Sequence, residues 1–450
     1  MKKRKTILWM LLAVAALAVL VPLASKLPGE KQTQENTAAT LALDTEELTR
    51  LTVDAGEKLT FVKNGDSWAY EEDADFPLDQ KKISAMLEVL SSLEATKTIT
   101  QPASLSSYGL SAPLCRVEAG DTVLSVGSDA AMDGGRYFST GDGKVYITSS
   151  DILTPFQYDL LGLVRQDTAP AMKTLDTVTL ERQGMEPLVI RNRQGENLCY
   201  SDSYLWFAGT TPLDTENTEA LIRHGTDMTW EGCADYRAED LSAYGLDDPT
   251  VRLTVTYTEP EAGQYTLEVG TAVSGQYYAR MDDSRVIYWM DAQDVNALLN
   301  ADVSALYPNE VVLTDWDQAT SVTVELAGER FTFTPETRDK EQTEAGEAVQ
   351  EGETETYWLL DGQEADLASC LDAVSNMVPT GSAAGERPEH AQEVSLTFTQ
   401  ENARFPEVTL AFYRNTGEDC LVTLNGEPTV LVSRSDVSAL YEALTKLVLG

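Results

Sequence analysis

Residues 105–113 read L-S-S-Y-G-L-S-A-P, and residues 241–249 read L-S-A-Y-G-L-D-D-P. The shared pattern L-S-x-Y-G-L-x-x-P obliges the chain to build one local structure in two places. Gly109 and Gly245 suit the position just past a short helix, where glycine takes the left-handed conformation without steric cost. The residue that follows then folds back, Leu110 onto Leu105 and Leu246 onto Leu241. Pro113 and Pro249 keep the helix from resuming and bias the chain toward extended structure. The motif is a helix stop followed by a strand start. It implies a repeat and carries no chemistry.

The flanking sequence repeats as well. In the first copy, Leu51–Val53 and Leu59–Val62 read as strands, with a turn at Asn64-Gly65 before Trp68. Pro77-Leu78-Asp79 then precedes Ile83, Met86, Leu87, Leu90 and Leu93, one apolar face of a helix with Asp79 as its N-cap. Beyond the first Y-G-L, strands are expected over 116–126, 136–138 and 144–148. In the second copy Trp206 stands for Trp68, and Pro212-Leu213-Asp214 restarts a helix carrying Leu221, Ile222 and Met228. Gly135-Arg136-Tyr137-Phe138 has its counterpart in Gly275-Gln276-Tyr277-Tyr278. Short helical stretches over 151–163 and 294–306 close the two copies.

A third copy is degenerate. It keeps strand-like Val322–Leu326, Trp358, and a helix with Leu367, Cys370, Leu371, Val374 and Met377, but has no Y-G-L. The stretch 336–356 is rich in Glu and Thr and reads as a disordered acidic loop. The expected architecture is α+β: an N-terminal transmembrane helix, then three tandem repeats, each an antiparallel sheet packed on one or two helices. Their bounds are 45–170, 171–312 and 313–450.

Ahead of them, Lys2 to Lys5 flank an uncharged run from Ile7 to Ser25. Its length approaches the ~20 residues that cross a bilayer as a helix. Residues 1–26 therefore read as a basic cytoplasmic flank and a single-pass anchor, with the bulk of the chain outside the cell membrane. A cleaved signal is the competing reading. Pro22-Leu23-Ala24 is a poor cleavage site, and no Cys follows to take a lipid. Residues 27–44 are polar and read as a flexible linker.

The formal charge is −40, and every one of the first 26 residues that carries a charge is basic. So acidic a surface repels nucleic acid. The five cysteines, Cys115, Cys199, Cys233, Cys370 and Cys420, have no zinc-type spacing, and the two histidines, His224 and His390, form no cluster. No G-x-x-x-x-G-K-[ST], G-x-S-x-G or D-x-[DN]-x-[DN]-G occurs. The chain is expected to be no enzyme and to need no cofactor. Tyr137, Tyr277, Tyr278 and Trp289 are the candidates for ligand or partner contact, although alternate-face sheet packing explains them equally.

The first copy carries W…P-x-D…Y-G-L-x-x-P…G…Y…V-Y at Trp68, Pro77, Asp79, Tyr108, Gly109, Leu110, Pro113, Gly127, Tyr137, Val145 and Tyr146. Trp206, Pro212, Asp214, Tyr244, Gly245, Leu246, Pro249, Gly270, Tyr277 and Tyr288 carry it in the second. This resembles a bacterial family of tandem domains of unknown function, often with one N-terminal transmembrane segment. The resemblance implies an accessory extracytoplasmic subunit of a gliding-motility-type ABC transporter. Its partners would be a permease, an ATPase and a large extracytoplasmic subunit. The alternative is a freestanding cell-surface module that binds a wall polymer or an exported ligand.

Overall fold

The computed structural model describes residues 34–35, 38–131, 134–339, 354–383 and 385–449. The expected anchor over 7–25 lies outside them. Among the described residues, no helix is long and apolar enough to cross a membrane. The protein is α+β, and the described residues form three nine-stranded antiparallel sheets and five short α-helices.

The second and third sheets share one strand order. Counted along the chain within each sheet, it is 4-3-2-1-6-7-8-9-5. Strands 1 to 4 run outward from the centre, a helix follows, and strand 5 lands on the opposite edge. Strands 6 to 9 then fill the gap. The first sheet has the same order without strand 4, and Gln34–Glu35 extends its far edge beside Lys97–Ile99. Part of the supposed linker is therefore structured. Ala39–Thr40 pairs with Glu94–Ala95, and the amides of Leu41 and Leu43 donate to the carbonyls of Leu93 and Leu90. Leu41 and Leu43 alternate with exposed neighbours, a two-residue period too short to register against the polar composition around it.

The helices start where the sequence places their caps. α1 spans Gln80–Ser91, with the Asp79 side chain accepting from the Lys81 amide and with Ile83, Met86 and Leu90 buried. α2 spans Thr215–Thr226, and Asp214 accepts from the Asn217 amide. α3 is Ala292–Leu299, α4 is Ala368–Ser375, and α5 is Arg434–Leu449. The expected closing helix over 151–163 is instead a pair of 3₁₀ turns, Thr154–Phe156 and Leu161–Leu163. Pro155 and Gly162 interrupt the stretch before an α-helix can propagate.

The acidic stretch 336–356 is partly strand. Glu329–Asp339 pairs with Thr354–Leu360 from Phe333↔Leu360 out to Asp339↔Thr354. Alternating Thr, Arg and Tyr side chains continue the hairpin past the apolar core, so composition alone reads it as loop. Residues 340–353 lie outside the described residues.

The chain divides into two compact units. One comprises residues up to Asp167 with Gly232–Ala238 and Arg285–Ile287. Inside it, Tyr236 meets Phe76 edge to face at 4.9 Å, and Arg237 donates to Asp73 at 2.8 Å. The other comprises Thr168–Glu231, Glu239–Ser284 and Tyr288–Gly450. There Tyr200 and Tyr204, which precede the strand Trp206–Ala208 of the second sheet, and Phe207 within that strand share one hydrophobic core with the third sheet. The phenol of Tyr200 accepts from the Leu313 amide at 2.9 Å, and Tyr204 donates to Glu310 at 2.5 Å.

Candidate binding surface

The two Y-G-L segments form the same turn. Leu105–Tyr108 and Leu241–Tyr244 are 3₁₀ turns, shorter than the expected α-helix ends. Gly109 (φ 71°) and Gly245 (φ 67°) are left-handed, as read from the sequence. The Leu110 amide donates to the Leu105 carbonyl at 3.0 Å and Gly109 to Ser106 at 3.2 Å; Leu246 and Gly245 do the same to Leu241 and Ser242. These bonds are the two reciprocal closures of a helix stop. The expected apolar contact is different. Leu105 is 44% exposed, while Leu110 turns away into a cluster with Ile99, Tyr108, Val145 and Tyr137.

That cluster is separate from the main core of the first sheet. Cys115, Val117 and Phe138 face the main core, whereas Tyr137 alternates to the other side. The turn thus lies over the face that the main core leaves open, and close approach to a glycine seats it. A Cβ on Gly127 would fall 2.2 Å from the Tyr108 carbonyl oxygen, and one on Gly270 would fall 2.1 Å from that of Tyr244.

Both motif tyrosines meet a strand tyrosine. Tyr108 is edge-on to Tyr137 at 5.0 Å, and Tyr244 is edge-on to Tyr278 at 5.0 Å. Tyr278, and not Tyr277, is therefore the counterpart of Tyr137. The register agrees, since Tyr277 shares a face with buried Ala279 and Met281. Both sheets carry the same bulge, after Val126 and after Val269, and Tyr137 and Tyr278 are the residues opposite it. Trp289, the cross-strand partner of Tyr278, lies with its ring 4.4 Å away. Tyr244, Tyr278 and Trp289 form a half-buried aromatic row on one sheet face.

Beside it runs a charged ladder across four strands, Glu181–Arg252–Glu268–Arg280. Arg252 and Arg280 donate to the Glu268 carboxylate at 2.8 and 2.7 Å, and Glu268 is 6% exposed. Glu268 holds the Arg252 guanidinium above its ordinary pKa. No sequence window reveals this ladder, because its members lie on four strands, the first of them 71 residues from the second, and meet only through register. The row of aromatics and the ladder together present flat rings next to fixed charges, an arrangement suited to stacking and hydrogen bonding and lacking a nucleophile with its base.

The remaining chemistry-bearing groups are dispersed. His224 meets Asp294 at 2.8 Å and ties α2 to α3. All five cysteines are free thiols. Burial pushes Cys115 and Cys233 up to about 12, which keeps both as unreactive thiols. Among the described residues no group of three or more metal-ligating side chains converges.

No curated protein matches the chain. The profile of a domain of unknown function, DUF4340, matches residues 68–183 and 208–377, well over half of the sequence. The first matched segment starts at Trp68 and contains the first Y-G-L turn; the second contains the other turn, the aromatic row and α2 to α4. The chain is a member of the DUF4340 family.

Proposed function

We propose that the chain is a non-enzymatic binding module held outside the cytoplasmic membrane, and that it takes a wall polymer or an exported ligand on the Tyr244–Tyr278–Trp289 row. The observation that carries this reading is the row itself. Three half-exposed rings lie along one sheet face, flanked by the Arg280–Glu268 pair. Aromatic faces of this kind stack on the apolar faces of sugars and on planar groups, while the neighbouring charges orient hydroxyls. Each ring removed should weaken binding with little effect on folding, because Trp289 is not part of the main core.

The test is co-sedimentation of the full-length chain, in mild detergent, with purified cell-wall polymer. Trp289→Ala should lower the affinity at least tenfold while leaving the melting temperature within a few degrees. Equal retention of both proteins would overturn the assignment of the row.

A second reading has its own support in the uncharged run from Ile7 to Ser25 behind four basic residues, together with the family membership. In it the same exposed surface docks an ABC-type transporter of the gliding-motility kind, the chain serving as a membrane-anchored, extracytoplasmic accessory subunit. The three sheets of common strand order would then be tandem repeats of one docking unit. Affinity purification from membranes separates the two readings. A stoichiometric permease and ATPase favour the accessory subunit, and a chain recovered alone favours the freestanding module.

A further inference from the structure

A cleft of about 560 Å³ opens between α2 and the strands at the start of the second sheet. This lies within the size range of small-molecule sites, roughly 300–1,000 Å³. Met172, Leu175, Leu205 and Ile222 supply an apolar wall, and Trp206 closes it. Trp206 is 2% exposed, yet its indole N–H has no acceptor. Only two other buried side-chain polar atoms among the described residues lack a partner, and one of them, the Thr218 hydroxyl, lies on α2. A buried donor left unmet is costly, so an acceptor that reaches it binds with advantage.

The charges around the cleft are equally unmatched. Lys173 and Arg223 stand on its rim together with Glu219 and Asp227. Among the described residues, Lys173, Arg223 and Glu219 make no ion pair and no side-chain hydrogen bond, and the Asp227 carboxylate accepts only from the Thr226 hydroxyl at 3.2 Å. Two cations and two carboxylates thus share one opening without neutralising one another. An anion alone would be repelled by the carboxylates, and a cation alone by Lys173 and Arg223. A ligand carrying both signs satisfies both pairs.

We propose that this cleft binds a short peptide with free termini and an apolar side chain. Its carboxylate would meet Arg223 or Lys173 and its ammonium Glu219 or Asp227. The apolar side chain would lie on Met172, Leu175, Leu205 and Ile222, and a peptide carbonyl would answer Trp206. This site is independent of the aromatic row and does not rest on the reading given to it.

The test uses the full-length chain in mild detergent and a panel of tripeptides Ala-X-Ala with X an apolar residue, followed by titration calorimetry. At least one member should bind, and its affinity should fall at least tenfold when either terminus is capped by acetylation or amidation. Arg223→Ala and Glu219→Gln, neither of them at a buried position of α2, should each cause a similar loss without lowering the melting temperature. Trp289→Ala should leave peptide binding unchanged, which keeps this site distinct from the aromatic row. Absence of binding by the whole panel at millimolar concentration would overturn the proposal. So would capped peptides that bind as well as free ones, or rim variants that bind as well as the parent.

Discussion

The carbonyl oxygen of Tyr244 occupies the space in which a side chain on Gly270 would begin: a Cβ there would lie 2.1 Å away. Tyr108 and Gly127 stand in the same relation at 2.2 Å. The Y-G-L turn is therefore half of a structural device whose other half is a glycine in a strand more than fifteen residues later. Gly270→Ala should destabilise the second unit by about 1–3 kcal/mol, because backbone must move to admit the methyl group. Gly381→Ala is the control, its nearest neighbour being Leu431 at 3.8 Å. Chemical denaturation of the two variants checks the difference.

Gly109→Val and Gly245→Val strain the other half. Both positions are left-handed, at φ 71° and 67°. A β-branched side chain there costs roughly 1–2 kcal/mol from backbone alone. Loss of hydrogen-exchange protection at Leu110 or Leu246, whose amides close the turn, should appear in each variant. Wild-type protection in both would refute this account of the motif.

The buried carboxylate of Glu268 depends on two arginines. Arg280→Met should destabilise the second sheet by about 3 kcal/mol, at the low end for breaking a buried pair, since Arg252 remains. The double variant Arg280→Met with Glu268→Leu should recover much of that loss, since no unmatched charge is then left buried. Urea melts of the two proteins decide it.

Asp240 caps the second turn, and its dependence on pH follows from that. The Ser242 hydroxyl at 2.6 Å and the Ser242 amide at 3.0 Å donate to it and hold its carboxyl below the usual range. A folded pKa lower than the unfolded one adds stability above the unfolded value near ~3.9, and this is lost as pH falls through the folded value. Exchange protection of the turn should decline in that acid window and stay flat in Asp240→Asn, whose amide oxygen still accepts.

Tyr204 makes the opposite prediction. Burial, then the nearby Tyr200 and Glu310, raises its phenol far above the ordinary value. A raised pKa means the contribution is complete below the unfolded value near ~10 and is lost as pH rises further. Tyr204→Phe should cost about 1–3 kcal/mol at neutral pH through the unpaired Glu310, and should blunt the loss of stability in alkali. Melting temperature measured from pH 7 to 11 tests both parts.

Local physics made much of this legible in the linear chain. Asp79 and Asp214 cap helices because a carboxylate two or three residues ahead of free amides needs no distant partner. Gly109 and Gly245 turn left-handed for the same kind of reason, and Ile83, Met86 and Leu90 bury one face of α1 as their spacing demands. What depended on partners far along the chain had to wait for the tertiary structure. The return strands Lys97–Ile99, Trp230–Asp235 and Pro379–Ser382 are short and carry no alternating apolar pattern, so only the open sheet edge defines them. The pairing of Phe138 with Val126 and of Ala279 with Val269 decided that Tyr278 rather than Tyr277 meets the turn. The Glu181–Arg280 ladder and the unmatched Trp206 donor arise from register and packing, which place side chains together at distances that sequence spacing does not encode.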